Sequence, residues 1–130
     1  LDDFDDILAR ADAITVHVPK TKDTVGLLNK AAFDKARDGL LVINAARGGI
    51  VDEAALLDAL DSGKVGGAGL DVFVEEPPPA DHPLLTHERV ICTPHLGAST
   101  EQAQINVSVA VADQVVDYLL NDWGLYVRWC

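Results

Sequence analysis

The stretch LLVINAARGG, residues 40–49, joins a short apolar run to a polar turn that contains two glycines. Short apolar runs rich in aliphatic residues predict strands that are buried in a sheet. Residues 40–43 therefore predict a strand, and three further runs predict strands in the same way. Those runs are Ala13–Val18, Gly67–Phe73 and Val90–Thr93.

Helical segments alternate with these strands. They are predicted over Asp3–Ala11, Lys30–Ala36 and Asp52–Leu60, and the last begins at a capping aspartate and is followed by Gly63. Strand–helix–strand units repeat at the spacing of about 30 residues that parallel crossovers need. The pattern predicts an α/β fold, a parallel sheet with helices on both faces.

The remainder of the chain follows a different pattern. Residues 75–88 contain four prolines, which predicts a rigid surface loop in place of a helix. Ser99 and Gln102 have the spacing of a capping box, and a long helix is predicted from there to about Leu120. Residues 123–130 have no clear period. The apolar face of the long helix is predicted to contain Ile105, Val109, Ala112, Val116 and Leu119 or Leu120.

Composition limits the possible functions. The chain has 130 residues, enough for one domain, and 48% of them are hydrophobic. Its net charge of −11 argues against binding to nucleic acids or to an anionic membrane, and a solubilising surface or a salt-adapted host would both explain it. Two cysteines are too few for a disulfide framework, and no apolar run is long enough for a membrane helix. We therefore expect a cytoplasmic protein.

Polar residues collect where the predicted strands end, which is where parallel sheets bind ligands. His95 could shuttle protons with Glu76 as its carboxylate partner, although a lone histidine is often structural. Arg47 could bind a carboxylate or a keto-acid carbonyl, or it could cap a backbone carbonyl at the surface. Asp71 lies in an apolar run, so it should pair with a cation or face a polar ligand. His17 is expected to be hydrogen-bonded at its strand end.

Two other sites are weaker hypotheses. His82, His87 and His95 could be imagined as metal ligands together with Asp81, but their spacing matches no zinc pattern and solvated loop residues are favoured, so no metal is expected. Cys92 could act as a nucleophile with His95 as its base. Because Cys92 lies inside a strand run, a small core residue is the better interpretation.

Three segments resemble motifs of one enzyme family. Residues 44–56, 69–77 and 93–100 resemble the arginine, glutamate and histidine motifs of the D-isomer-specific 2-hydroxyacid dehydrogenases. The resemblance covers roughly residues 1–121, and residues 95–104 are most similar to the D-3-phosphoglycerate dehydrogenases within the family. It implies an oxidoreductase that converts D-3-phosphoglycerate to 3-phosphohydroxypyruvate with NAD, the entry step of serine biosynthesis.

The resemblance also implies roles for individual residues. His95 would take the proton of the C2 hydroxyl, Glu76 would pair with His95, and Arg47 would hold the substrate carboxylate. Asp71 would contact the nicotinamide side of NAD. The other residues expected to line the cofactor, besides Arg47 and His95, are Val18, Ala45, Ala46, Gly97 and Ala98.

The resemblance finally implies a domain organisation. Residues 1–121 would form the second half of a Rossmann-type NAD-binding domain without its glycine-rich G-x-G-x-x-G half, and residues 122–130 stay unassigned. The full-length protein would be a homodimer or homotetramer, and the isolated chain would be inactive. The alternatives are a glyoxylate/hydroxypyruvate reductase or another D-2-hydroxyacid dehydrogenase, a catalytically silent regulatory relative, and an inactive truncated product.

Overall fold

A four-stranded parallel sheet organises the first part of the chain. The computed structural model describes residues 3–97 and 99–121 and divides the chain into two compact units, one ending at His95 and the other beginning at Leu96. The sheet lies in the first unit, with the strands in the order β1-β2-β3-β4, so the predicted parallel sheet is confirmed. The strands are β1 (Ala13–Val16), β2 (Leu40–Asn44), β3 (Val65–Leu70) and β4 (Val90–Cys92).

Four helices of the first unit surround one hydrophobic core. They are α1 (Phe4–Arg10), α2 (Lys30–Lys35), α3 (Glu53–Asp61) and α4 (Pro83–Thr86). Because all four contribute to the same buried cluster as the strands, they share one face of the sheet. The residues at the centre of this cluster are Leu8, Phe33, Val42, Leu56, Leu70 and Leu84.

Strand β2 shows how the sheet separates its two faces. Its residues alternate between buried and exposed, with Leu40, Val42 and Asn44 buried and with Leu41 and Ile43 exposed. This is the period of two that a strand imposes on its side chains. The alternation ends on a buried polar residue, which positions the turn described below.

The helix ends follow the capping residues in the sequence. Asp52 accepts a hydrogen bond from the backbone N–H of Ala55 at 3.0 Å, and Gly63 follows α3 with a φ of +79°. Both predicted signals are therefore confirmed. Asn29 accepts from the backbone N–H of Ala32 at 3.1 Å in the same way and begins α2.

Both predicted boundaries of the third strand differ from the structure. The strand predicted over Gly67–Phe73 begins earlier, at Val65, and its ladder ends at Leu70. A Cβ atom on Gly66 would lie 2.8 Å from the carbonyl oxygen of Gly39, so the glycines here allow a close approach between backbones. The early start of β3 therefore depends on this close approach between backbones, which the pattern of apolar residues cannot predict.

The proline-rich segment contains a helix that the sequence analysis did not predict. Pro83 occupies the first turn of α4, where its missing N–H costs no hydrogen bond. His82 caps the helix, since its Nδ1 accepts from the backbone N–H of Leu84 at 3.3 Å. The prediction of a loop without a helix over residues 75–88 is wrong for this reason.

The second unit contains the long helix α5 (Glu101–Asn121), and its predicted end near Leu120 is confirmed. Its cap differs from the prediction, because Thr100 Oγ1 accepts from the N–H of Ala103 at 3.1 Å. Gln102 donates forward to Asn106 at 2.8 Å, so it does not complete a capping box with Ser99. The residues of the predicted apolar face that the structure describes are exposed. Among the described residues, no helix has the length and apolar character to cross a bilayer.

Candidate active site

The candidate site is built where β2, β3 and β4 end. Beyond the ladder, the N–H of Asp71 donates to the Asn44 carbonyl oxygen at 3.0 Å, and the N–H of Thr93 donates to the Leu70 carbonyl oxygen at 2.9 Å. These bonds keep the chain segments parallel for one more residue. The segments that follow the three strands are therefore held side by side at the carboxyl edge of the sheet.

The buried amide of Asn44 shapes the turn after β2. Its Nδ2 donates to the Arg47 carbonyl oxygen, and its Oδ1 accepts from the N–H of Ala46, each at 3.1 Å. The side chain thus replaces two backbone partners and folds residues 44–47 into a compact turn. The sequence analysis did not single out Asn44, although an amide at the end of a buried strand was a signal that could have found it.

Arg47 leaves this turn with an exposed side chain. Its Nη1 donates to the carbonyl oxygen of Ala46 at 2.6 Å. This is the carbonyl-capping arrangement that the sequence analysis considered as an alternative. A guanidinium has five N–H donors, so one such bond is compatible with a bidentate contact to a carboxylate.

Gly48 brings the arginine turn against the next loop. A Cβ atom on Gly48 would lie 1.7 Å from the carbonyl oxygen of Phe73, a distance that no side chain can adopt. The two backbones are therefore in direct contact. Through this contact the turn that carries Arg47 lies beside the loop of residues 73–76, which we call the glutamate loop.

The structure joins His95 and Glu76, as the sequence analysis expects. His95 Nδ1 lies 2.7 Å from Glu76 Oε2, and the side chains are 44% and 37% exposed respectively. Glu76 Oε1 accepts from the N–H of Phe73 at 3.0 Å. The hydrogen bond from His95, followed by that from Phe73, lowers the pKa of Glu76 below its ordinary value. An ionised Glu76 only accepts hydrogen bonds, so the Nδ1 of His95 carries a proton and donates it.

The backbone of His95 is held in an uncommon conformation. Its φ is +53°, in the left-handed region that costs most residues on the order of 1 kcal/mol. The N–H of His95 donates to Asp71 Oδ1 at 3.0 Å, and the Thr93 hydroxyl donates to the same oxygen. Asp71 therefore holds the turn that presents His95.

This role differs from the expected pairing of Asp71 with a cation. The sequence analysis expected a cation partner or a polar ligand, whereas the carboxylate binds a hydroxyl and a backbone N–H of residues 93–95. Both donors are neutral groups of the protein itself. The expected contact with a nicotinamide is a separate hypothesis about the same side chain.

The predicted cofactor residues lie in different parts of the chain. Val18 follows β1 and is exposed, and Ala45 and Ala46 follow β2 with exposed and half-buried side chains. Together with Asp71 they follow three neighbouring strands, β1, β2 and β3. Gly97 belongs to the second unit. Ala98 lies outside the described residues.

A cleft of about 490 Å³ opens beside His95 within the first unit. Its volume lies in the range of about 300–1,000 Å³ that is usual for small-molecule sites. Its lining includes apolar side chains as well as the Glu76–His95 pair. The principal lining residues are Asp71, Phe73, Glu76, Leu85, Cys92 and His95.

The weaker hypotheses give different outcomes. Cys92 is half-buried, its Sγ lies 3.8 Å from the Leu84 carbonyl oxygen, and burial raises the pKa of its thiol, which disfavours a nucleophilic role. His17 Nε2 lies 2.9 Å from the Thr15 hydroxyl oxygen, as a hydrogen-bonded strand-end residue should. Over residues 3–97 and 99–121, no three His, Cys, Asp or Glu side chains are grouped as a metal site would require.

His82 and His87 are not solvated loop residues, so that expectation is wrong. Both side chains are largely buried, and each faces a carboxylate. His82 Nε2 lies 3.3 Å from Glu53 Oε2, and His87 Nε2 lies 3.5 Å from Asp61 Oδ1. The polar sequence around both histidines favoured solvent exposure. The carboxylates that pair with them belong to α3, which is distant in the sequence, so the pairs could not be predicted from sequence neighbours.

Comparison with known proteins identifies the same fold and motifs. The family model described as D-isomer specific 2-hydroxyacid dehydrogenase, NAD binding domain, matches residues 1–97. The chain is 56% identical over 115 residues to the D-3-phosphoglycerate dehydrogenases of Archaeoglobus fulgidus and Bacillus subtilis, covering 88% of this chain and 22% of theirs. The rat D-3-phosphoglycerate dehydrogenase is 53% identical over 88% of this chain and 21% of its own length. The chain thus spans about a fifth of the length of these curated relatives.

Solved structures agree with the sequence comparison. A D-lactate dehydrogenase from Treponema pallidum matches with a TM-score of 0.78 and 37% identity, over 91% of this chain and 40% of that one. An NAD-dependent formate dehydrogenase from Staphylococcus aureus, solved in complex with NAD, matches with a TM-score of 0.79 and 33% identity, over 96% of this chain and 38% of that one. These similarities confirm the expected Rossmann-type domain. The chain belongs to the D-isomer-specific 2-hydroxyacid dehydrogenase family and lies in its NAD-binding domain.

Proposed function

We propose that this chain supplies the acid–base pair and the carboxylate-binding arginine of an NAD-dependent D-2-hydroxyacid dehydrogenase. The observation that carries the proposal is the 2.7 Å contact between His95 and Glu76 at the carboxyl edge of the sheet. A second carboxyl-edge segment, the turn with Arg47, lies against the glutamate loop through Gly48. A base, its orienting carboxylate and a cation are thus brought to one edge.

His95 moves the proton in this mechanism. Its Nδ1 proton is held by the ionised Glu76, so Nε2 has the lone pair that accepts the proton of the substrate C2 hydroxyl. The imidazolium that forms lies beside a carboxylate, which stabilises its positive charge. In the reverse direction the same Nε2 returns the proton to the oxygen at C2.

Arg47 binds and polarises the substrate. Its planar guanidinium matches the two oxygens of the substrate carboxylate, and a further N–H group can donate to the oxygen on C2. This contact fixes the orientation of C2 and stabilises the negative charge that develops on the C2 oxygen during the reaction. Because Asn44 and Gly48 fix the turn, the position of Arg47 depends on both of them.

Val18, Ala45, Ala46 and Asp71 would hold NAD on the exposed carboxyl edge. When bound, NAD accepts the hydride from C2 of the substrate. His95 would take the hydroxyl proton of the alcohol, and with the hydride at C2 also removed the product would be a 2-keto acid. The balance requires no other reactant.

D-3-phosphoglycerate is the proposed substrate, with 3-phosphohydroxypyruvate as the product and serine biosynthesis as the pathway. Support comes from relatives named D-3-phosphoglycerate dehydrogenase, which are 53–56% identical to this chain. A glyoxylate reductase structure has a TM-score of 0.81 but only 32% identity. In the same proposal the protein acts as a homodimer or homotetramer in the cytoplasm, where the free thiol of Cys92 would stay reduced.

The test uses the intact gene product that carries this chain. NAD reduction is measured with D-3-phosphoglycerate, D-glycerate and D-lactate, and the reverse reaction is measured with glyoxylate and hydroxypyruvate. We expect kcat/KM to be highest for D-3-phosphoglycerate. Preference for another acid would reject the substrate, and binding of NAD without turnover of any of these acids would favour a silent regulatory relative.

His95→Asn tests the proton step. Asparagine tolerates the left-handed backbone but offers no basic nitrogen, so turnover should fall by at least about 10²-fold while the Kd for NAD changes far less. His87→Asn, a substitution at a histidine outside the candidate site, should retain full turnover. Normal turnover of His95→Asn would exclude His95 as the proton acceptor.

A further inference from the structure

A second histidine–glutamate pair contacts the loop that carries Glu76. Glu53, the first residue of α3, and His82, the residue before α4, meet through Oε2 and Nε2 at 3.3 Å. Their side chains are 21% and 18% exposed, so this pair is better shielded from solvent than the Glu76–His95 pair. The proposed proton transfer makes no use of it.

Glu53 binds the glutamate loop directly. Its Oε1 accepts from the backbone N–H of Val74 at 2.7 Å. The preceding N–H, that of Phe73, donates to Glu76 Oε1 at 3.0 Å. Two consecutive peptide N–H groups are therefore held by two different glutamates, one anchored in a helix and the other paired with His95.

His82 fixes the orientation of Glu53. Its Nδ1 accepts from the backbone N–H of Leu84, so this nitrogen has no proton and the neutral ring carries its proton on Nε2. That proton is donated to Glu53. The His82 ring also packs edge-on against Phe73, with ring centroids 5.4 Å apart. His82 thus contacts the glutamate loop both through Glu53 and through the Phe73 ring.

We propose that Glu53 and His82 are positioning residues for the acid–base pair: they hold the glutamate loop so that Glu76 meets His95. This inference rests on the proposed function. Apart from the pair with His95, the hydrogen bond of Glu76 is to Phe73, three residues away in the same short loop, and this bond does not fix the loop against the rest of the fold. Glu53 at the start of α3 and His82 beside α4 contact the glutamate loop and so fix its position relative to these helices.

The substitution His82→Asn separates positioning from helix capping. Asparagine can accept from the N–H of Leu84 and so retains the cap of α4, but it is too short to reach Glu53. Glu53→Gln is the companion variant, because its NH2 group replaces one of the two carboxylate oxygens and cannot accept from Val74 or His82 at that position. His87→Asn is the matched control, since His87 faces Asp61 and accepts from the N–H of Arg89 at 3.1 Å without contact to the glutamate loop.

Kinetics of the intact gene product give the first readout. Misplacement of a catalytic group by about 1 Å can cost up to about 10²-fold, so kcat of His82→Asn and Glu53→Gln should fall by about 10-fold or more. The KM for the hydroxy acid and the Kd for NAD should not change, and the solvent deuterium isotope effect on kcat should rise. His87→Asn should match the wild type. Wild-type kcat in His82→Asn would show that His82 only caps α4 and would overturn the proposal.

Amide hydrogen exchange gives a readout that does not depend on activity. The N–H groups of Phe73 and Val74 should exchange faster in His82→Asn and Glu53→Gln than in the wild type or in His87→Asn. Unchanged exchange would overturn the positioning role even if kcat fell. If the intact protein oxidises no D-2-hydroxy acid, the proposed function fails, and the exchange rates still decide whether this pair holds the loop.

Discussion

Glu76 illustrates at the scale of one residue how local bonds set a charge. Hydrogen bonds from His95 and Phe73 favour its ionised form and lower its pKa. A carboxyl group whose folded pKa lies below the unfolded value stabilises the fold above that unfolded value. This stabilisation is lost as the pH falls through the folded pKa.

We therefore expect the free energies of unfolding of the wild type and of Glu76→Gln to become more similar in acid. At neutral pH the wild type should be the more stable protein, and the difference should shrink as the pH falls below about 4.3, the ordinary value for glutamate. Urea unfolding from pH 7 to pH 3 measures this difference. A difference that is independent of pH would show that folding does not lower the pKa of Glu76.

Asn44 gives a second prediction at the same scale. Asn44→Asp keeps the acceptor for the N–H of Ala46 but places a carboxylate oxygen against the Arg47 carbonyl oxygen, where the amide now donates. Loss of that buried bond should lower the free energy of unfolding by about 1–3 kcal/mol. Asn44→Ala, which removes both bonds, should be destabilised at least as much. Wild-type stability in both variants would show that the turn does not depend on this amide.

The scale of elements shows what the sequence can and cannot predict. The helix α3 was predictable because Asp52 and Gly63 mark its ends, and β2 was predictable because its apolar residues stand together. The helix α4 was missed because proline content was taken as a sign of loop, although Pro83 suits a first turn. The pairing of Glu76 with His95 was predictable because both residues follow predicted strands that end at one edge of the sheet, and the family resemblance implies the same pair. The pairing of Glu53 with His82 could not be predicted, because it depends on how α3 and α4 pack.

The turn that carries Arg47 and the glutamate loop are two elements in direct contact through Gly48. In Gly48→Ala the new Cβ would overlap the Phe73 carbonyl oxygen, so the two segments must separate. We expect a lower melting temperature and a loss of kcat, since Arg47 and Glu76 would both move. In Gly69→Ala the new Cβ would meet only Ile43 Cγ1 at 3.9 Å, so this control should change little. Equal behaviour of the two variants would exclude the close approach.

At the scale of the whole molecule, the first unit has one apolar surface that its own helices do not cover. Leu41 and Ile43 on β2 and Ile91 on β4 are exposed, and β1 and β4 are the edges of the sheet. Exposed apolar faces and unpaired strand edges promote association between chains. The net charge of −11 opposes it, because like-charged chains repel each other.

The balance of these two forces predicts how the isolated 130-residue chain responds to salt. Salt screens the repulsion between acidic chains and leaves apolar contacts in place, so self-association in sedimentation velocity should increase between about 0.01 and 1 M NaCl. Leu41→Lys or Ile91→Lys should weaken association, whereas Val25→Lys, at an exposed position outside the sheet, should not. Association that decreases with salt would instead indicate ion pairs between chains. In that case the uncovered face of the sheet would not be the surface that drives it.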